Sequence, residues 1–246
     1  MRALIDRSDE KWAMLPNSNQ QNTNLAIFVH GFIGEYLGTW GALPDLLKDN
    51  ADSFPPFDEW DFLFVGYDTK DPLTFLDIAR LICTHWEQAA AGALPLGRRY
   101  DKVALLGHSL GTLGIRQALC AWAIQPQGMR TALHSVTLFG TPLNGSPLAK
   151  FATWRYKIAE ALKPGSAQLK MLRTWLKGAF KKEPWPDARV ILGLDDRVVG
   201  YREVDFIEWP GDREPVTMTN YDHSDLVKPV SWAESSVVSF VRQAIQ

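Results

Sequence analysis

The stretch Val103-Ala-Leu-Leu-Gly-His-Ser-Leu-Gly-Thr-Leu-Gly-Ile115 decides how the rest of the chain is read. Val103–Leu106 is an apolar run of strand length. Gly107-His-Ser-Leu-Gly111 is a G-x-S-x-G sequence, and a helical pattern runs on from Leu110 to Ile124. Strand, tight turn and helix together are the setting of a nucleophile elbow. The turn is too sharp for bulky neighbours, so glycine at 107 and 111 leaves room for the flanking backbone. Ser109 is then held at the C-terminal edge of a sheet with its hydroxyl presented. The start of the helix offers unpaired N–H groups and the positive end of its dipole. The Leu110 N–H is therefore a candidate oxyanion donor. The bland alternative is a glycine-rich turn with an inert serine.

Working outward, further short apolar runs read as buried strands: Leu25–His30, Phe62–Val65, Val136–Phe139 and Val190–Leu192, with a strand-like Val216–Thr219. Helix-like segments lie between and beyond them at about 37–50, 73–92, 110–124, 166–182 and 231–246, with Pro126 ending the third. This alternation predicts one α/β domain over 1–246: a mostly parallel central sheet with helices on both faces. The stretch from Pro147 to Lys182 reads as a helical cap inserted between two strands.

His30-Gly31-Phe32 ends the strand beside the elbow, and the Phe32 N–H is a candidate second oxyanion donor. The base follows by elimination. If the order is serine, acid, histidine, only His134 and His223 lie beyond Ser109. His134 comes too early to leave room for an acid on a later strand. His223 sits in a polar loop, Thr219 to Pro229, placed to swing over the serine. The acid belongs after Val190–Leu192, where Asp195 and Asp196 compete.

These blocks resemble an α/β-hydrolase. Within that superfamily the chain is most similar to lipase-like serine esterases related to the GPI inositol-deacylase group. The resemblance rests on His30–Phe32, Gly107–Gly111, Phe139-Gly-Thr-Pro-Leu-Asn-Gly-Ser146, Asp196-Arg-Val-Val199 and His223-Ser-Asp-Leu-Val-Lys-Pro229. It favours Asp196 over Asp195, because Asp-x-Val-Val turns recur in lipase-like enzymes. Many relatives carry His where this chain has Leu143. The resemblance implies a triad of Ser109, His223 and Asp196 cleaving an ester through an acyl-enzyme, with no metal and no cofactor. His30, Gly31, His108, Leu143 and Trp175 are the candidate substrate-binding residues. An amidase, peptidase or acyltransferase on the same triad, or a non-catalytic binding protein on the same fold, are the competing readings.

The insertion carries a charge of its own. Residues 147–182 hold nine Lys/Arg and one acid, Glu160, a net charge of +8 in a chain of net charge -2. Leu169, Leu172, Trp175 or Leu176, and Ala179 or Phe180 recur at helical spacing, with Ser166 as N-cap and lysines interleaved. One expectation is a cap whose apolar face packs over the site. The other is an interfacial lid that opens onto an anionic membrane or a phosphorylated substrate. Trp40, Trp154, Trp175 and Trp185 are expected near the site, where they suit a hydrophobic acyl ester or lipid. Trp60, Trp86 and Trp122 are expected in the packing.

Composition excludes several classes. Two cysteines, Cys83 and Cys120, make neither a disulfide framework nor a Cys-rich zinc site, and both read as small core residues. The near-balanced charge argues against nucleic acid as a partner. The charged N-terminal stretch Met1–Trp12 is unlike a secretory leader, which predicts a cytoplasmic protein, peripheral to the membrane if the lid reading holds. His85 is expected on a helix surface.

Overall fold

Side chains alternate across each strand, and here both faces of the central strands are covered, so their sequences are continuously apolar. Leu25, Ile27 and Val29 enter one hydrophobic cluster with Val103 and Leu105. Ala26 and Phe28 enter the opposite cluster with Ala104 and Leu106. The computed structural model describes residues 1–19, 21–124, 132–152, 155–180, 186–199 and 214–246. Pro126, Trp154, Lys181, Lys182 and Trp185 lie outside the described residues.

Eight strands form one sheet: β1 (Ile5–Arg7), β2 (Trp12–Leu15), β3 (Asn24–Val29), β4 (Asp61–Val65), β5 (Lys102–His108), β6 (Leu133–Phe139), β7 (Asp187–Gly193) and β8 (Val216–Met218). Their spatial order is β1-β2-β4-β3-β5-β6-β7-β8. The β1–β2 and β2–β4 pairings are antiparallel, and the rest are parallel. The helices are α1 (Leu43–Asn50), α2 (Phe75–Ala91), α3 (Leu110–Ile124), α4 (Ile158–Ala161), α5 (Ala167–Phe180) and α6 (Ser236–Ile245). The first cluster joins α2, α3, α4 and α5 to one face of the sheet, and the second joins α1 and α6 to the other.

The two N-terminal strands were not among the expected elements. Trp12-Ala-Met-Leu15 is buried throughout, but four residues beside a charged stretch carry too little periodicity to mark a strand. Pairing with β4 is what makes it one. This also corrects the reading of His85. It is buried, because β2 brings Trp12 over that side of α2, with the two rings edge to face at 6.3 Å. Trp40 is likewise fully buried, against Phe28 and Phe64, and belongs to the core rather than to a substrate surface. Trp60, Trp86 and Trp122 are buried in the packing.

A buried clamp ties the edge of the sheet opposite the elbow. Asp61 is fully buried and accepts hydrogen bonds from the Asn17 N–H (2.7 Å), Arg98 Nη1 (2.9 Å) and Tyr100 Oη (2.6 Å). Removing one partner of a buried ion pair leaves an uncompensated charge. Asp61→Ala is expected to cost about 3–5 kcal/mol of stability, measured by urea unfolding.

Three histidines are buried as neutral rings. Burial lowers the pKa of His30 and His85 to about 4 and that of His108 to about 3. In the unfolded chain each titrates at its ordinary value of 6.5. Between that value and about pH 4 the unfolded state therefore binds more protons, and stability falls as pH falls. Each ring contributes a slope of up to about 1.4 kcal/mol per pH unit. We expect a lower urea midpoint at pH 5 than at pH 7, and a smaller difference between the two in His85→Gln. Equal midpoints in the wild type would contradict the burial of neutral imidazoles.

Candidate functional site

The register of two parallel strands assembles the centre of the site. Val29 of β3 lies level with Gly107 of β5. The residues that follow, His30-Gly31-Phe32 and His108-Ser109-Leu110, therefore emerge side by side at the C-terminal edge. Ser109 adopts φ of +50°, a left-handed conformation that is strained for any residue with a Cβ. Its N–H donates to the Phe139 carbonyl (2.9 Å), and its carbonyl accepts from Thr112 N (3.0 Å) and Thr112 Oγ1 (2.6 Å). The turn is thus over-determined by its neighbours.

The glycines around it are required by close approach. A Cβ at Gly31 would lie 2.7 Å from the Ser109 Cβ. One at Gly107 would meet Ile115 Cδ1 at 2.7 Å, and one at Gly111 would collide with the carbonyl oxygens of Val29 and His30. Beside Ser109, the N–H groups of Phe32 and Leu110 have no hydrogen-bond partner among the described residues.

Asp196 and His223 are brought together from separate loops. Asp196 follows β7, and its Oδ2 lies 2.7 Å from His223 Nδ1. Its Oδ1 accepts from the N–H groups of Val198 and Val199, both at 2.8 Å. The carboxylate is buried, whereas Asp195 is exposed. Ser146 Oγ donates to the Val198 carbonyl (2.7 Å) and braces the same turn. Of the two neutral tautomers of His223, only the one with its proton on Nδ1 can donate to Asp196, and that one carries its lone pair on Nε2. Gly140, at φ of +56°, lets this ring approach: a Cβ there would lie 3.1 Å from His223 Nδ1. The Ser109 hydroxyl makes no direct hydrogen bond to His223. Such contacts often close only around a bound substrate.

His108 supports the histidine loop. Its Nε2 donates to the His223 carbonyl (2.8 Å), and the two rings pack with centroids 4.8 Å apart. This role for the residue before the serine has no local sequence signal, since its partner is 115 residues away. His30 is fully buried. Its Nδ1–H donates to the Gly31 carbonyl (2.8 Å) and its Nε2 accepts from the Tyr67 N–H (3.0 Å). Tyr67 Oη donates back to the His30 carbonyl (2.6 Å), and the rings stack at 4.2 Å. His30 therefore shapes the loop rather than offering its ring to a substrate. Tyr67, which holds it, was not singled out from sequence.

Two further residues sit elsewhere than expected. Leu143 is buried in the core on the α3 side. Trp175 lies on the rim of α5, 44% exposed, in a cavity with Leu76, Cys120 and Ala121. Cys120 is ten residues into α3, about 15 Å along its axis from the elbow. The reason is the phase of α5: Leu169, Leu172 and Leu176 take the buried face, which packs on α3 and not over Ser109. The front of the insertion does reach the site, where Tyr156 meets Phe32 edge to face at 5.0 Å. Phe180 is the last residue of α5. Burial pushes the Cys83 and Cys120 thiols up to about 11 and about 12; Cys120 is a core residue, whereas Cys83 is only partly buried against the core. Among the described residues no group of three or more His, Cys, Asp or Glu is placed to hold a metal ion.

No protein-family model matches the chain, nor does the sequence of any curated protein. Solved structures do resemble it. The esterase domain of a Rhodothermus marinus protein has a TM-score of 0.54 at 15% identity, covering 96% of this chain and 93% of that one. The esterase RhEst1 from Rhodococcus has a TM-score of 0.55 at 16% identity, covering 95% and 94%. Phospholipase PlaB from Legionella pneumophila has a TM-score of 0.51 at 20% identity over 70% of this chain, which spans 38% of that enzyme. Strand order, a strained serine between strand and helix, and these likenesses agree: the chain has the α/β-hydrolase fold.

Proposed function

We propose that the chain is a serine hydrolase of carboxylic esters. The observation that carries this is the Asp196–His223 pair at 2.7 Å, at the same sheet edge as a serine held at φ of +50°. His223 Nε2 takes the Ser109 proton as Oγ attacks the carbonyl carbon. Charge develops on the carbonyl oxygen, where the N–H groups of Phe32 and Leu110 receive it. The tetrahedral intermediate collapses, and the His223 imidazolium returns the proton to the leaving alcohol. Water then cleaves the acyl-enzyme by the same steps. Asp196 holds the tautomer and stabilises the imidazolium.

Ser109→Ala is expected to abolish turnover of a short-chain p-nitrophenyl ester and labelling by a fluorophosphonate. Asp196→Ala should lower kcat by roughly 10⁴, while Asp195→Ala should leave it near wild type. A wild type with neither activity, or a Ser109 variant retaining both, would overturn the reading.

A lipid-like acyl ester is the favoured substrate class, and the GPI inositol-deacylase group the favoured subgroup. The motif blocks support the subgroup, with Leu143 as the departure. On α5, Met171 and Trp175 are exposed beside Lys170, an apolar and basic surface that favours peripheral contact with an anionic membrane from the cytoplasmic side. No helix among the described residues is long and apolar enough to cross a membrane. Co-flotation with anionic but not neutral liposomes is expected, weakened by Trp175→Ser. Equal failure with both would remove the membrane reading and leave the esterase reading standing.

A further inference from the structure

Ile33 occupies a backbone position that isoleucine should avoid. The Gly34 N–H donates to the Gly31 carbonyl (3.2 Å), closing a four-residue turn in which Ile33 takes φ of +57°. Glycine or asparagine is usual at such a position, and a β-branched residue is an outlier. Ile33 is also 59% exposed, so packing does not offset the strain. An exposed apolar side chain kept in a strained conformation beside a site implies a use outside the fold.

Its surroundings show what the side chain divides. A cavity of about 350 Å³ runs between the loop Gly31–Glu35 and the segment after His223, bordered by His108, Ser224 and Lys228. A second, of about 470 Å³, lies across the same loop and is bordered by His30, Tyr67 and Tyr156. Ile33 lines both. The chemistry assigns the first. The leaving oxygen must take its proton from His223, so the leaving group departs on the His223 side. The oxyanion would sit about 3 Å from the Phe32 N–H. Ile33 is the next residue, its Cα about 3.8 Å from that of Phe32, and it shares the first cavity with Phe32, His108 and Ser224, the neighbours of the donor, the serine and the base.

Building on the esterase reading above, we propose that Ile33 is a specificity-determining residue that limits the bulk of the alcohol leaving group. The branched side chain walls the smaller cavity from the larger one, and the strained turn holds that wall upright. Small primary alcohols fit against it, and bulky ones collide.

The test compares butyrate esters of methanol and benzyl alcohol, followed by acid release at neutral pH, with Ser109→Ala as control. In Ile33→Ala and Ile33→Gly the benzyl-to-methyl ratio of kcat/KM should rise at least about fivefold, the scale of a one-group change in an apolar pocket. Agreement between the two variants assigns the effect to lost volume rather than to glycine's freedom. Ile33→Val, which keeps the branch, should hold the ratio near wild type, and the melting temperature of Ile33→Gly should not fall. A ratio within about twofold of wild type in both small variants, or a parallel loss on both esters, would overturn the proposal. Were the wild type to cleave neither ester in a Ser109-dependent way, the esterase reading itself would fall and this inference with it. That outcome is distinct from turnover with an unchanged ratio.

Discussion

The site depends on how closely two backbones can approach at the ends of β3 and β5. Val29 and Gly107 are level in the sheet, and the chains leaving them pass within contact of each other. Gly31 faces the Ser109 Cβ, and Gly111 faces the carbonyls of Val29 and His30. No side chain fits at either point. Because nothing intervenes, the loop carrying the Phe32 N–H lies against the turn carrying Ser109 and the Leu110 N–H. The strain at Ser109 is sustained by hydrogen bonds to Phe139 and Thr112, which belong to the sheet and to the helix. Under the proposed mechanism the donors to a developing oxyanion must be fixed in advance, and this packing would fix them.

The histidine loop is held by one neutral ring and one carboxylate. His108 is buried and neutral, so it donates to the His223 carbonyl without placing a cation beside that ring. Among the described residues Asp196 supplies the carboxylate in contact with His223 Nδ1, and two backbone N–H groups orient it. Tyr67 and His30 perform a comparable task for the opposite loop through a stacked, mutually bonded pair. Buried neutral imidazoles rigidify both sides of the site, and they also make the fold sensitive to acid.

The basic insertion divides its work along its length. Its front, through Tyr156, abuts Phe32 at the site. Its main helix instead uses three leucines to pack on α3, which turns Met171 and Trp175 outward. The insertion as a whole was legible as positively charged, and its main helix as amphipathic. Which body the apolar face would meet was not, because a helical stripe specifies a face and not a partner.

Read by itself, the sequence determined whatever local physics dictates. The continuous apolar runs 25–29, 62–65, 103–106 and 136–139 must be strands covered on both faces, and Gly107-His-Ser-Leu-Gly111 between strand and helix must be a sharp turn. The order of the remaining histidines and aspartates narrowed the candidates to His223 and the pair Asp195 and Asp196. Only the tertiary structure decided the rest. It made Trp12–Leu15 a strand by giving it β4 to pair with, and it thereby buried His85. It sent Trp40 and Leu143 into the core. It set Asp196, not Asp195, on His223. It placed strained Ile33 between two cavities. Each of these depends on groups brought together from distant parts of the chain. Periodicity and turn chemistry act over a few residues, whereas burial and hydrogen bonding are settled by whichever neighbours the fold supplies.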